Sequence, residues 1–188
     1  MLNLKKETWI LIAIFFLVFI SRLFFVFQSP TFSDDSAYIT QRYTENIVET
    51  GESLKYDPLS YGGRTVIYSP IFDYILWFFG LFLPLSLVFK VIPQLFISSL
   101  VIIVYLIAKE VKANEVLALI AALLSGFIPI VFLETLNSIS IYSLIIPLMF
   151  YLIYIMIKLE RDDNLILHFI IFSFLLASLH PSVFLLPI

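Results

Sequence analysis

The chain contains no cysteine and only two histidines, His168 and His180. Disulfides, thiolate metal sites and a cysteine nucleophile are thereby excluded, and so is a histidine-rich metal site. Charge is also scarce: 13% of residues are charged, against about 25% in a soluble domain. A net charge of −3 offers neither a basic face for nucleic acid nor a polybasic patch for an anionic membrane surface. What fills the 188 residues instead is apolar side chain, 61% of the total. A soluble core of this size cannot hide so much, so lipid is the solvent.

Hydrophobic runs fall at 8–27, 85–108, 114–132, 139–158 and 164–187. Each is close to the ~20 residues that cross a bilayer as helix. This pattern predicts an all-α membrane protein with about five transmembrane helices and a long first loop holding short amphipathic helices. Lys5 and Lys6 precede the first run, and no small-residue cleavage pattern follows it, so it reads as a retained signal anchor. Inside the runs polar residues are few, which argues against a transporter or channel. The last run reaches Ile188 without a closing polar tail, and the chain is read as the N-terminal part of a longer protein forming one transmembrane domain over 1–188.

The stretch 71–84 (IFDYILWFFGLFLP) is ambiguous: about 14 residues ending at Pro84, with Asp73 inside it. It reads either as a segment lying in the membrane interface, which suits Tyr74 and Trp77, or as part of an extra span. The interfacial reading puts Lys5, Lys6, Lys109, Lys112, Lys158 and Arg161 on one side, satisfying the positive-inside rule. The expected topology therefore has a cytoplasmic N-terminus in the plasma membrane and loop 28–84 outside. The turn at 134–138 and the end of the fifth run near His180 share that outer side, where Asp34, Asp35, Glu134 and His180 are able to converge.

Chemistry-bearing residues concentrate in that loop. Asp34 and Asp35 follow the first span directly. Adjacent carboxylates suit a general base or a ligand for a hard divalent cation. The competing reading is a helix N-cap, since 36–50 (SAYITQRYTENIVET) has amphipathic spacing at Ile39, Tyr43 and Ile47 and ends at Gly51. Tyr38, Arg42 and Asn46 form a neighbouring polar stripe, in which Arg42 either meets a phosphate or pairs with Glu45, Glu49 or a lipid headgroup. Downstream, YDPLSYGGR (56–64) combines the turn initiator Asp57-Pro58 with Gly62 and Gly63, which permit positive φ and open backbone amides, and then Arg64. A structured surface loop explains the same residues. Glu134 and His180 read as substrate-side residues or as ordinary helix-end residues.

The stretch SDDSAYITQRYTENIVETGESLKYDPLSYGGRTVIYSPIFDYIL (33–76) resembles the first external loop of GT-C membrane glycosyltransferases, most closely the archaeal oligosaccharyltransferase catalytic-subunit type. The resemblance implies transfer of a sugar or oligosaccharide from a polyprenyl-phosphate or pyrophosphate donor to a protein or glycan acceptor on the extracytoplasmic face, within membrane lipid. It implies a catalytic or metal-binding carboxylate at Asp34 or Asp35, with both assignments open. Arg42, Arg64 and His180 become candidates for the donor phosphate, and Tyr38, Asn46, Asp57, Gly62 and Gly63 substrate-loop residues. Two departures stand out. Where the family carries a second acidic motif, this chain reads Ser138-Ile139-Ser140, with Glu134 the nearest acid. The family's large soluble C-terminal domain is also absent from these residues. A Mg or Mn site through Asp35 and Glu134 therefore competes with metal-independent transfer, and a catalytic role competes with that of a non-catalytic membrane subunit keeping the fold.

Overall fold

A computed structural model describes residues 6–60, 62–161 and 163–179. Among these, nine α-helices and one short hairpin account for the regular structure, apart from a 3-10 turn at Asp163–Leu165. The protein is an all-α membrane protein. The helices are α1 (Lys6–Val26), α2 (Asp35–Thr50), α3 (Ile71–Gly80), α4 (Leu85–Ser98), α5 (Leu100–Glu110), α6 (Glu115–Ser125), α7 (Pro129–Thr135), α8 (Tyr142–Leu159) and α9 (Ile166–Leu179). In the first loop, β1 (Tyr56–Asp57) pairs antiparallel with β2 (Arg64–Thr65).

Among the described residues, four segments are long and apolar enough to cross a membrane: α1, the α4–α5 rod Leu85–Glu110, the α6–α7 rod Glu115–Thr135, and α8. The α4–α5 rod is the centre of the bundle, 44% buried against 22% for each of the other three. Those three turn large apolar side chains outward, as Phe16, Leu17, Ile20 and Phe24 of α1 do, which is the surface a lipid solvent allows. The run at 164–187 begins as α9, and its part beyond 179 lies outside the described residues.

Both rods that read as uninterrupted spans carry a local irregularity in the middle, and in the α6–α7 rod it leaves helical geometry at Ile128. Pro93 lacks the amide needed inside α4, and the Ser98 and Ser99 hydroxyls bond back to the carbonyls of Gln94 and Phe96 where α4 gives way to α5. The second rod opens at Gly126, and Pro129 starts α7 in its first turn, where no amide is needed. A Cβ on Gly126 would stand 2.5 Å from a Val18 methyl, so glycine there lets α6 approach α1.

α3 has 10 residues, roughly 15 Å of helix, too short to span. It packs on α2, α4 and α9 and buries Phe72, Asp73 and Leu76. At the end opposite the first loop, Lys109 reaches Glu7 at 3.6 Å and Glu115 at 4.0 Å, while Arg161 donates to Glu110 at 2.8 Å. Lys109 and Arg161 thus gather at one end, as the charge pattern predicts.

The spans are not as free of polar residues as their composition reads. Arg22 of α1 is 1% exposed. Its Nε donates to Gln94 Oε1 at 2.9 Å and its Nη2 to Thr135 Oγ1 at 2.5 Å, with its guanidinium 4.6 Å from the Phe132 ring centre. Gln94 Nε2 in turn donates to the Thr135 carbonyl at 2.9 Å. One buried network therefore ties α1, α4 and the end of α7. Near the loop end, Lys90 donates to the carbonyls of Val26 and Ser29, closing the C-terminus of α1.

Candidate functional site

The Asp34 and Asp35 carboxylates have different tasks. Asp34 is extended, with φ −142° and ψ 157°, and caps α2. Its Oδ1 accepts from the Ala37 amide at 2.8 Å and the Ser36 hydroxyl at 2.5 Å. Burial works to raise its pKa, but the Ser138 and Ser36 hydroxyls and the Ala37 and Ser36 amides outweigh it and hold the carboxyl below its ordinary value. Asp35 is the first helical residue, exposed, with no hydrogen bond or ion pair among the described residues. The capping reading is met by Asp34, and the Asp35 carboxylate beside it is left without a side-chain partner among the described residues.

The turn after α7 is stitched to this helix start. The Ser33 amide donates to the Asn137 carbonyl at 3.0 Å, and its hydroxyl donates to the carbonyls of Leu136 and Asn137, each at 3.1 Å. Asn137 Nδ2 donates to the Thr31 carbonyl at 2.8 Å. Asn137 takes φ +52°, a conformation asparagine tolerates better than most residues. Ser138 is 3% exposed. Its hydroxyl stabilises the Asp34 charge from alongside, without meeting the geometry of a direct hydrogen bond to any described residue. Ser140 accepts from the Tyr142 amide at 3.2 Å and serves the start of α8. The first loop and the 134–140 turn therefore do converge. Glu134 is exposed and makes no hydrogen bond or ion pair among the described residues, and His180 lies outside them.

The rest of the loop is organised by its own polar groups. Arg42 pairs with Asp57, which is 1% exposed and also accepts from the Leu59 amide at 3.0 Å and the Ser60 hydroxyl at 2.6 Å. The Ser60 hydroxyl foremost, with the Leu59 amide and Arg42 and against the effect of burial, holds the Asp57 carboxyl below its ordinary value. Arg42 is thus engaged in holding the hairpin turn, although its buried Nε has no partner among the described residues. Gly62 and Gly63 take φ of +74° and +73°. A Cβ on Gly63 would overlap the Tyr56 hydroxyl, and the Gly63 amide is taken by the Ser60 carbonyl at 2.8 Å, so it is not open to an anion. Asn46 donates to the Glu52 carbonyl at 2.8 Å, closing the turn after α2 at Gly51, whose φ is +77°. Tyr38 stands against Phe32, ring to ring at 5.5 Å, and its hydroxyl accepts from the Phe32 amide. Arg64 is exposed and unpaired among the described residues.

One buried acid went unrecognised in the sequence. Asp73 of α3 is 1% exposed and accepts from the Tyr68 hydroxyl. Burial pushes its carboxyl up to about 7, against the downward pull of Tyr68 and Thr44. Burial, with the adjacent Asp73, drives the Tyr68 hydroxyl well above its ordinary value, and Tyr43 stacks on Tyr68 at 5.1 Å. The one signal was an acid standing alone in an apolar stretch.

A divalent cation such as Mg or Mn asks for several hard oxygen ligands, carboxylates foremost. Among the described residues no group of three or more His, Cys, Asp or Glu is placed to hold a metal ion. The adjoining turn offers the neutral hydroxyls of Ser138 and Ser140, and Asp34 Oδ1 is already bonded to the Ala37 amide and the Ser36 hydroxyl. The described residues alone do not fit a divalent-metal centre.

No protein-family model matches the chain. A curated protein of Archaeoglobus fulgidus, described as "Dolichyl-phosphooligosaccharide-protein glycotransferase 2", is 36% identical over 119 residues, covering 60% of this chain and 19% of that protein. The chain therefore spans about a fifth of that relative's length. Over the matched part, the likeness is to a glycosyltransferase of the oligosaccharyltransferase kind.

Proposed function

We propose that this chain is the loop-bearing membrane part of a glycosyltransferase that moves a sugar or oligosaccharide from a polyprenyl-phosphate or pyrophosphate donor to a protein or glycan acceptor on the extracytoplasmic face. The observation that carries this reading is the division of labour in the acid pair. Asp34 is consumed as the cap and fixes the helix start, which leaves Asp35 exposed and free beside it. A carboxylate so placed accepts the proton of an acceptor nucleophile as that atom bonds to the sugar carbon. The bond from that carbon to the phosphate oxygen breaks, and the lipid phosphate leaves with the electron pair. Arg64, unpaired among the described residues, is the loop cation available to the phosphate, since Arg42 is held by Asp57.

The test compares Asp35→Asn with Asp34→Asn in membrane-reconstituted protein supplied with a lipid-linked sugar donor. Loss of a positioned base is expected to slow transfer by about 10²-fold or more in Asp35→Asn, with Asp34→Asn acting mainly through stability. Undiminished transfer by Asp35→Asn removes the assignment. Ser138 and Ser140, in place of the family's second pair of acids, favour a second reading as a non-catalytic membrane subunit. Absence of donor turnover, together with co-purification with a fuller transferase, supports that alternative.

A further inference from the structure

The loop end of the α1–α4 seam carries two cations that lack an ion-pair partner among the described residues. Arg22 and Lys90 appear in none of the ion pairs among the described residues. Their contacts are all to neutral groups. Arg22 meets Gln94 and Thr135, and Lys90 meets the carbonyls of Val26 and Ser29 and the faces of Phe27 and Phe32, at 5.7 and 6.0 Å. The two helices run antiparallel here, Arg22 beside Gln94 and Val26 beside Lys90. The cations therefore stand about one turn apart, ~6 Å along the seam. Cations at membrane depth are costly even when backbone carbonyls receive them, and they mark sites where a charged ligand passes or binds.

We infer that Lys90, backed by the buried charge of Arg22, holds the phosphate group of a membrane lipid at the loop end of the α1–α4 seam. An ammonium has three N–H donors; two are used on carbonyls, and the third is left for a phosphate oxygen. Arg22 is buried too deeply to touch the ligand and contributes its field. Lys90 is only part-buried, and the neighbouring Phe27 is 50% exposed, so the position is open to a lipid headgroup. The location matters for the proposed reaction. Phe32, under the Lys90 ammonium, packs its ring on Tyr38 of α2, three residues beyond Asp35. A phosphate on Lys90 would therefore sit on the same end of the bundle as the free carboxylate. The inference rests on the glycosyl-transfer reading only for the identity of the lipid, and not for the presence of the site.

The experiment measures binding without turnover, using the full chain in phosphate-free maltoside detergent micelles titrated with polyprenyl phosphate, uncharged polyprenol or phosphatidylglycerol. A hydrogen-bonded charge pair predicts polyprenyl phosphate binding about ten- to a hundredfold tighter than polyprenol. Lys90→Gln should erase that preference, Lys90→Arg should keep it, and Lys55→Gln, a change at an exposed surface pair, should leave it alone. Equal binding of phosphatidylglycerol and polyprenyl phosphate, both lost in Lys90→Gln, supports the site and assigns it to bilayer phospholipid. Equal binding of polyprenol and polyprenyl phosphate by the parent protein overturns it, as does undiminished preference in a folded Lys90→Gln. Asp35→Asn separates the two readings: it should slow transfer by about 10²-fold or more and leave phosphate binding intact.

Discussion

Replacing Asp73 with asparagine isolates the cost of one buried carboxyl in the loop. The residue is 1% exposed, outside the four spanning segments, and its pKa is raised from 3.8 to about 7. Below pH 4 the acid is protonated in folded and open loop alike and contributes no pH dependence. Between pH 4 and 7 the open loop ionises while the packed one stays protonated, so the packed form loses stability as pH rises. Above 7 both forms are ionised and the full penalty remains. A rise of this size corresponds to roughly 4 kcal/mol at most. The Asp73→Asn change keeps an acceptor for the Tyr68 hydroxyl without the charge. Hydrogen exchange of peptides covering 42–76, corrected for intrinsic rates and followed from pH 4 to 8, reads the local equilibrium. Protection in the parent should fall through this window and level off near pH 7, while the variant should stay flat and be the better protected at pH 8. Parallel loss of protection in parent and variant would refute the reasoning, because another group would then be titrating.

Other perturbations separate capping, packing and metal chemistry. Asp34→Ala should cost about 1 kcal/mol of loop stability through the lost cap, seen as faster exchange at 35–40 with little change in the spans. Arg22→Met leaves Gln94 Oε1 and Thr135 without their donor, and a loss of about 1–3 kcal/mol is expected, measured as a lower midpoint in thermal unfolding in detergent. Gly63→Ala meets both a positive φ and the Tyr56 ring and should loosen the hairpin by about 1–2 kcal/mol or more, detectable as proteolytic cleavage within 56–65. Ser138→Asp places a second carboxylate beside Asp34. Like charges should destabilise the turn in the absence of divalent cation, and Mn²⁺, titrated by electron paramagnetic resonance, should bind the variant more tightly than the parent.

What the sequence reveals follows from which interactions are local. The spans, the amphipathic helix after Asp35, its cap and its Gly51 stop all rest on residue types within a few positions of one another, so periodicity and capping rules reach them. The mid-rod irregularities were also written locally, in Pro93 and in Gly126 with Pro129, but an unbroken apolar run hid them. The long-range partnerships were not legible. Arg42 has Glu45 and Glu49 within two turns on its own helix, yet its partner is Asp57 across the hairpin. Nothing near Arg22 in sequence announces Gln94 and Thr135, 72 and 113 residues away. The inward face of α2 also differs from the simple i, i+4 stripe. Ala37, Thr44 and Ile47 are buried while Ile39 is 45% exposed, because α3 packs against the side that carries Thr44.

The bonds from Ser33 to the 136–137 carbonyls have a consequence in time. They join residues 103 and 104 positions apart. At about 5–20 residues per second of synthesis, the first loop would be made about 5–20 s before its partner turn exists. During that interval α2 has its local cap, the Asp57 hairpin and α3, but the bonds from Ser33 that fix its start cannot form, and further hydrophobic segments must enter the membrane. The carboxylate pair is thus among the earliest parts of the polar face to be synthesised and among the last to be fixed in place. A stall before the third span is complete would leave the helix start without the turn that holds Ser33.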